Sequence, residues 1–424
     1  MKTCLYIFQN NLRLLDNPSL YYAYHNFDRV VPIVIWQDYA NGYERGSQQK
    51  MGKFRKQFLI ESIAELQYEL LKKGVDLVIL RKDADLTENL AEIIAHYEVQ
   101  KTITSYPIGT YAQELLGMLC ELSPVYTCED NTLLEKDDLP FDFHQLPKTF
   151  TSFRKKVEQE WNIREEVPMP EFSKWDDTQQ YSIKLEVPSI ARPPNTAFPY
   201  KGGEESGRNR LNYYLWESEA ITTYKQTRNG MIGEQYSTKF SAFLALGCLS
   251  PVTIYHAVRD FEAEHTTNES TYWVIFELLW REFFYWVTEK QRSKIFRKEG
   301  IYTKEGNRQS DQIQQEQHKF EEWCTGKTAH SFINANMHEL VATGFMSNRG
   351  RQNVASYLIH HLQVDWRWGA AFFEQHLLDY DVCNNWCNWL YLAGVGNDPR
   401  SRVFNPDRQQ QNYDADGKYV ALWG

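Results

Sequence analysis

The first 130 residues alternate short β-rich runs with stretches of helical spacing, and the rest of the chain does not. The runs CLYIF (4–8), VVPIVIW (30–36), VDLVIL (75–80), KTITSY (101–106) and VYTCED (125–130) have strand length. Between them, 50–72 and 86–98 show helical periodicity, as Phe54, Phe58, Ile63, Leu66 and Leu70 illustrate. Strands separated by helices pair in parallel, so residues 1–135 are expected to form a doubly wound, Rossmann-like α/β sheet. No G-x-G-x-x-G follows the first run, which leaves a dinucleotide site there without support. An α/β fold alone names no function.

Between 161 and 200, Pro168, Pro170, Pro188, Pro193, Pro194 and Pro199 break every candidate helix. The stretch 136–204 therefore reads as an interdomain connector, long enough that it should wrap over both parts. Beyond it, aromatic segments at 208–229, 240–260, 270–290, 351–363 and 368–379 carry helical spacing without strand alternation. An all-α domain over 205–424 follows. No internal repeat is present.

The net charge of −10 argues against a generally basic nucleic-acid coat, because phosphate affinity follows local Lys and Arg. A local groove stays open, since residues 291–308 carry six Lys/Arg against two Glu. An aromatic content of 15% suits a stacked ligand or a large helical core. The seven cysteines are odd in number and scattered without C-x-x-C, as expected of reduced thiols. The apolar run Leu5 to Phe8 is too short for a signal peptide, and no apolar stretch reaches about 18 residues. A cytoplasmic chain without a membrane span is expected.

Four segments concentrate polar groups among apolar ones. In TGFMSNRGRQNVASYL (343–358), helical spacing puts Asn348, Arg351 and Gln352 on one face. In DYDVCNNWCNW (379–389), Asp379 and Asp381 stand beside Asn384 and Asn385. A calcium loop is excluded there, because the sixth position lacks glycine and the twelfth is Leu390. A solvated turn remains open, although Arg351 would hold one of the aspartates by a charge-assisted bond. In YSTKFSAFLALGCLSP (236–251), Ser237, Thr238, Lys239 and Ser241 precede a helix, either as caps or as an anion site for a phosphate. In YWVIFELLWREFFYWV (272–287), Glu277, Trp280 and Arg281 share one face. There Glu277 either pairs with Arg281 or meets a polar ligand beside Trp280. No nucleophile triad or metal-ligand spacing emerges, and the His360–His361 pair reads as structural or surface. Sites rich in amides and aromatics suit chemistry carried by a bound cofactor.

Longer strings identify the relationship. LYIFQNNLRLLDNP (5–18), KTFTSFRKKVE (148–158), TRNGMIGEQYSTKFS (227–241), NWLYLAGVGNDPR (388–400) and VFNPDRQQQNYDADGKYV (403–420) resemble the photolyase/cryptochrome family, most closely its DASH cryptochromes. The resemblance implies a folded-back FAD in the helical domain. Tyr224, Ser237, Thr238, Lys239 and Ser241 would line its phosphate and ribose side. Glu277, Arg281, Asn348, Arg351, Asp379, Asp381 and Asn385 would surround the flavin, with Asn385 opposite its reactive nitrogen. The implied reaction is light-driven splitting of a cyclobutane pyrimidine dimer by an electron lent from excited reduced FAD. Trp280, Gln352 and Tyr391 match lesion-pocket positions, Glu277 would bond the dimer, and Arg228, Arg349 and Arg402 match phosphate contacts. Tyr391 and Gln352 are the DASH choices and imply a preference for single-stranded DNA.

The family's electron relay uses three tryptophans; Trp389 and Trp366 match two, and Ile313 occupies the distal position. Gln9 and Asn11 replace an arginine and an aspartate, and Asn334 and His338 replace an aspartate and an arginine. An antenna, methenyltetrahydrofolate, would sit between the domains with Glu114 as the matching carboxylate. A monomer is expected. The rival reading is a signalling photoreceptor, whose members commonly extend beyond a position like Gly424. A (6-4) photoproduct enzyme is disfavoured by Asn348 and Gln352 where that subgroup places a histidine, and a plain redox flavoprotein lacks a nicotinamide motif.

Overall fold

The computed structural model describes residues 1–37, 50–175, 181–301, 313–398 and 402–424. The five apolar runs become strands β1 (Thr3–Phe8), β2 (Arg29–Trp36), β3 (Val78–Arg81), β4 (Val99–Ser105) and β5 (Val125–Cys128). They form one sheet in the order β3-β2-β1-β4-β5, and every pairing is parallel. Every residue of the central β1 is buried, as a strand covered on both faces requires. Helices α1 (Pro18–Asn26), α2 (Lys53–Lys72), α3 (Leu86–His96) and α4 (Thr110–Leu122) link the strands. Strand order reverses between β1 and β4, which opens a crevice at their carboxyl ends, and the helical half packs against that edge.

The segment after β5 carries α5 (Phe150–Gln159) and then runs along the sheet. Trp175 accepts from Asp76 N and donates to Gly74 O, both at 2.9 Å, and Ile183 N donates to Ile79 O at 2.9 Å. These bonds claim Val75 for a bridge to Trp175, which is why β3 starts only at Val78. Farther on, Phe198 packs between the halves, with ring centroids 5.8 Å from Phe58 on α2 and 5.4 Å from Phe345. One apolar core thus crosses from the sheet side to the helices.

The helical half comprises α6 (Glu204–Asn212), α7 (Tyr224–Thr227), α8 (Ser241–Leu246), α9 (Pro251–Glu264), α10 (Glu269–Gln291) and α11 (Ile313–Cys324). It continues with α12 (Ser331–Thr343), α13 (Asn348–Ser356), α14 (Trp366–His376), α15 (Val382–Ala393), α16 (Pro406–Tyr413) and α17 (Lys418–Trp423). Three expected helices are broken, and 351–363 is one of them, leaving α13 at Ser356 for a π turn at Tyr357–His361. The segment 208–229 passes through a π turn at Tyr213–Glu217 and a 3₁₀ turn at Ala220–Thr223, because the Ser218 hydroxyl takes the Tyr213 carbonyl at 2.9 Å. The segment 240–260 breaks at Gly247, whose φ is +67°. A Cβ there would lie 1.8 Å from Asn10 O, so this break is where the loop after β1 docks. Leu12 N donates to Leu246 O at 3.1 Å and Arg13 Nη1 to Gly247 O at 2.9 Å, which completes the joint.

Of the four replacements, Asn11, Asn334 and His338 join local networks and Gln9 does not. Asn11 is buried and donates to Asp130 Oδ2 at 2.8 Å and Tyr6 OH at 2.9 Å, while its own Oδ1 accepts from Gln9 N at 2.8 Å. Gln9 Nε2 is left without a partner. Asn334 Oδ1 accepts from Thr328 N and Oγ1 at 2.9 and 2.7 Å. His338 bridges Trp423 O at 2.7 Å and Thr325 O at 3.3 Å.

Candidate functional site

One wall of the main cavity is the loop before α8. Arg210, 3% exposed, donates to the carbonyls of Ser237 and Thr238 at 3.0 Å each and of Glu234 at 3.3 Å. Sequence reasoning missed this residue, whose guanidinium shapes the loop through backbone bonds that leave no side-chain pattern. Lys239 takes a left-handed φ of +62°, and its buried Nζ lies 3.1 Å above the Tyr236 ring without a hydrogen-bond partner. Burial drives its pKa well below the usual lysine value, with the Glu339 carboxylate opposing. Ser241 opens α8 and donates to Asp379 Oδ2 at 2.7 Å, the oxygen that Arg351 Nη2 also meets at 2.9 Å. The expected Arg351–aspartate bond therefore forms. Helix α8 spans six residues, with Ser241 as its first residue and Ser237 and Thr238 on the loop before it.

The facing walls come from α10, α13 and α15. The Asn268–Thr271 capping box starts α10, and on it Glu277 pairs with Arg228 at 2.5 Å rather than with Arg281. Arg281 turns away to donate to Asn131 O at 2.6 Å, tying α10 to the loop after β5. Burial raises the Glu277 carboxyl against the pull of Arg228. Trp280 is stacked on Phe150 at 3.7 Å and meets Tyr391 edge-on at 5.9 Å. Phe150 is a second residue the sequence did not single out. Asp381 caps α15, accepting from Asn384 N and Nδ2 at 2.7 Å each. Gln352 accepts from Arg349 at 2.9 Å.

These walls enclose about 410 Å³, within the range of small-molecule sites. The lining includes Tyr224, Ser237, Thr238, Lys239, Ser241, Glu277, Arg281, Asn348, Arg351, Asp379 and Asp381, together with Arg228, Trp280, Gln352 and Tyr391. Three buried polar atoms on lining residues, Lys239 Nζ, Asp379 Oδ1 and Tyr236 OH, have no hydrogen-bond partner among the described residues. Buried polar groups are ordinarily satisfied, so a polar ligand that offers an anionic group to Lys239 and a hydrogen-bond donor to Asp379 fits this lining.

Other expected residues sit outside the lining. Asn385 is buried one position from the lining residue Asn384, and its amide donates to Ala370 O at 3.0 Å. Arg349 lies over the Tyr413 ring at 4.8 Å, and Arg402 over Tyr391 at 4.4 Å with an ion pair to Asp398. Trp389 is buried, with ring centroids 5.1 Å from Phe373 and 6.3 Å from Trp323. Trp366 meets Trp386 at 5.8 Å. Ile313 begins α11, and its side chain lies outside the described residues, as do positions 302–308 of the basic stretch. Glu114 is exposed on α4 and lines neither the main cavity nor the small one of about 30 Å³ at the β1/β4 crevice. Among the described residues no group of His, Cys, Asp and Glu is arranged to hold a metal, and no helix is long and apolar enough to cross a membrane.

The family model for the FAD binding domain of DNA photolyase matches residues 273–423, and that for DNA photolyase matches 4–171. Cryptochrome DASH of Xenopus laevis is 41% identical across 98% of this chain and 81% of its own length. The chain belongs to the photolyase/cryptochrome family. Cryptochrome DASH of Gloeobacter violaceus is 40% identical, covering 100% of this chain and 85% of the relative. The crystal structure of a Synechocystis sp. PCC6803 cryptochrome matches with a TM-score of 0.91 at 36% identity, over 100% of this chain and 88% of that one. As in this photolyase/cryptochrome fold, a parallel sheet precedes a helical FAD domain, and FAD is the cofactor that the donor set of the main cavity fits.

Proposed function

We propose that this chain repairs cyclobutane pyrimidine dimers under blue light, preferentially in single-stranded DNA. The reading rests above all on one cavity that joins the polar lining fit for FAD to the aromatic pair Trp280 and Tyr391. The chemistry supplied by reduced FAD, when bound, is donation of an electron to the dimer under light and its recovery after the ring opens.

The chain's own residues hold both parties. Lys239, Ser237, Thr238 and Ser241 bind the phosphate and ribose side, with Tyr224 packed beside them. Arg351 neutralises Asp379 where the flavin lies, and Asn348, Arg281 and Asp381 complete that wall. Asn385, buried beside the lining with its amide donating to Ala370 O, would serve the flavin side of the cavity. A dimer leaving the base stack costs a few kcal/mol, less in a single strand, and stacking on Trp280 returns about 1–3 kcal/mol per base. Phe150 holds the indole plane for that contact. Glu277, oriented by Arg228, accepts from the dimer, and Gln352 and Tyr391 border it. Arg349 and Arg402 lie beside this mouth as phosphate contacts. Trp389 and Trp366 would carry electrons from an external reductant toward the cofactor. In this reading 1–135 and 205–424 act as two domains joined by 136–204.

Trp280→Ala should weaken binding of a dimer-containing single strand by about 1–3 kcal/mol while leaving undamaged strands nearly unchanged. Equal discrimination by wild type and variant, measured by fluorescence anisotropy, would remove Trp280 from the lesion site.

A further inference from the structure

Two groups assigned to the lesion, Glu277 and Gln352, are already held by arginines at the mouth of the cavity. Arg228, just after α7, pairs with Glu277 on α10 at 2.5 Å, and the two side chains are 18% and 31% exposed. Arg349 on α13 donates through Nη1 to Gln352 Oε1 at 2.9 Å and through Nη2 to Asn229 Oδ1 at 3.1 Å. Asn229 follows Arg228 in the chain, so the second bond draws the two arginine-bearing segments together. The Arg349 guanidinium lies over the Tyr413 ring at 4.8 Å, and its Nε has no hydrogen-bond partner among the described residues. Burial lowers the pKa of Arg349; Tyr413 opposes this, and the charge of Arg228 adds to it. Among the described residues Glu277 is the one carboxylate paired with either arginine. Arg228, Glu277 and Gln352 line the same cavity as Trp280.

A partly exposed arginine–carboxylate pair is favoured by about fivefold at most. A phosphodiester oxygen offers the guanidinium an equivalent charge-assisted bond, and release of the strand's counterions adds to the exchange. We propose that the phosphates of a bound strand take Arg228 and Arg349 from Glu277 and Gln352, so that grip on the backbone is what frees the lesion readers. Arg228 thus orients Glu277 before the strand arrives and gives it up afterwards. Selectivity follows from the same exchange. Bases that stay outside the cavity leave the freed carboxylate without a donor, which is unfavourable, whereas the N–H groups of a dimer seated against Trp280 satisfy it. The proposal rests on the reading that places the lesion at Trp280 and phosphates at the two arginines.

The test measures, by fluorescence anisotropy in the dark, binding of three single strands of equal length to the FAD-loaded protein. They are an oligothymidylate, the same strand with one cyclobutane dimer, and an abasic strand of sugar and phosphate alone. Glu277→Gln should bind the undamaged and abasic strands about fivefold tighter than wild type and lose most of the preference for the dimer. Gln352→Met, which changes no charge, should tighten the abasic strand about threefold. Arg228→Gln should lower the slope of log affinity against log salt by about 0.7, the share of one phosphate contact. Adding Glu277→Gln to Arg228→Gln should bring no further tightening. Tightening that persists without Arg228 is plain charge repulsion and overturns the exchange, and no gain in Gln352→Met overturns the Arg349 half. An unchanged salt slope in Arg228→Gln means that this arginine meets no phosphate, and the exchange falls with it. Equal binding of all three strands by the wild type would sink the lesion site beneath the proposal, whereas a dimer preference without the gain in Glu277→Gln sinks the exchange alone.

Discussion

The Arg351–Asp379 bond joins α13 to the segment before α15 at the cavity floor, and its energy follows from its surroundings. Arg351 Nη2 lies 2.9 Å from Asp379 Oδ2, and the side chains are 24% and 1% exposed. Opposite charges about 4 Å apart at an effective dielectric of about 20 attract by roughly 4 kcal/mol. Solvent at the partly exposed guanidinium screens part of this, whereas stranding the buried carboxylate adds a desolvation cost. Arg351→Met should therefore destabilise the chain by about 3 kcal/mol, since Ser241 alone would face the Asp379 charge. Asp379→Asn keeps an acceptor for both donors and should cost about 1 kcal/mol. The double variant should recover about 2 kcal/mol relative to the sum of the singles. Urea unfolding followed by tryptophan fluorescence measures this cycle, with two FAD concentrations separating intrinsic stability from ligand linkage. Additivity to within about 0.5 kcal/mol would show that the two charges are not coupled and refute the reasoning.

Three further perturbations address the joint between the halves. Gly247→Ala meets a φ of +67° and a contact of 1.8 Å to Asn10 O, so a loss of at least about 2 kcal/mol is expected in the unfolding free energy from urea titration. Asn11→Asp restores the family's residue but sets a second carboxylate at the position now 2.8 Å from buried Asp130. It should destabilise at neutral pH by about 2 kcal/mol and recover on acidification, which unfolding curves at two pH values would check. Burial raises Glu204 from 4.5 to about 7, while the N–H groups of Leu14 and Leu15 pull it down. The native state then holds a proton that the unfolded chain has released, so stability falls as pH rises across that window. Glu204→Gln should flatten the fall of Tm with pH; an unchanged slope would mean that Glu204 is ionised throughout.

Strand positions were legible because period-two and continuous apolar runs survive any tertiary context, and all five runs became strands of one parallel sheet. The polar faces of 343–358 and 379–389 were legible for a similar reason: Asn348, Arg351, Asp379 and Asp381 stand out in apolar surroundings, and they meet at one cavity. What the sequence hid are partnerships set by long-range packing. Glu277 and Arg281 have ideal helical spacing, yet Arg228 takes Glu277 and a backbone carbonyl from the sheet side takes Arg281. Arg210 and Phe150 act through backbone carbonyls and a stacked ring, neither of which has a local signature. The break at 247–251 did carry its signal, glycine followed by Ser-Pro, and aromatic periodicity on both sides masked it.

The most direct measurement is repair itself. The reduced, FAD-loaded chain is illuminated with blue light in the presence of oligonucleotides carrying one cyclobutane dimer, single-stranded or in duplex, and dimer loss is followed by chromatography. Light-dependent repair of both, faster in the single strand and abolished in the dark, is the predicted result. Absence of repair on either substrate with FAD bound and reduced would contradict the account and favour a photoreceptor.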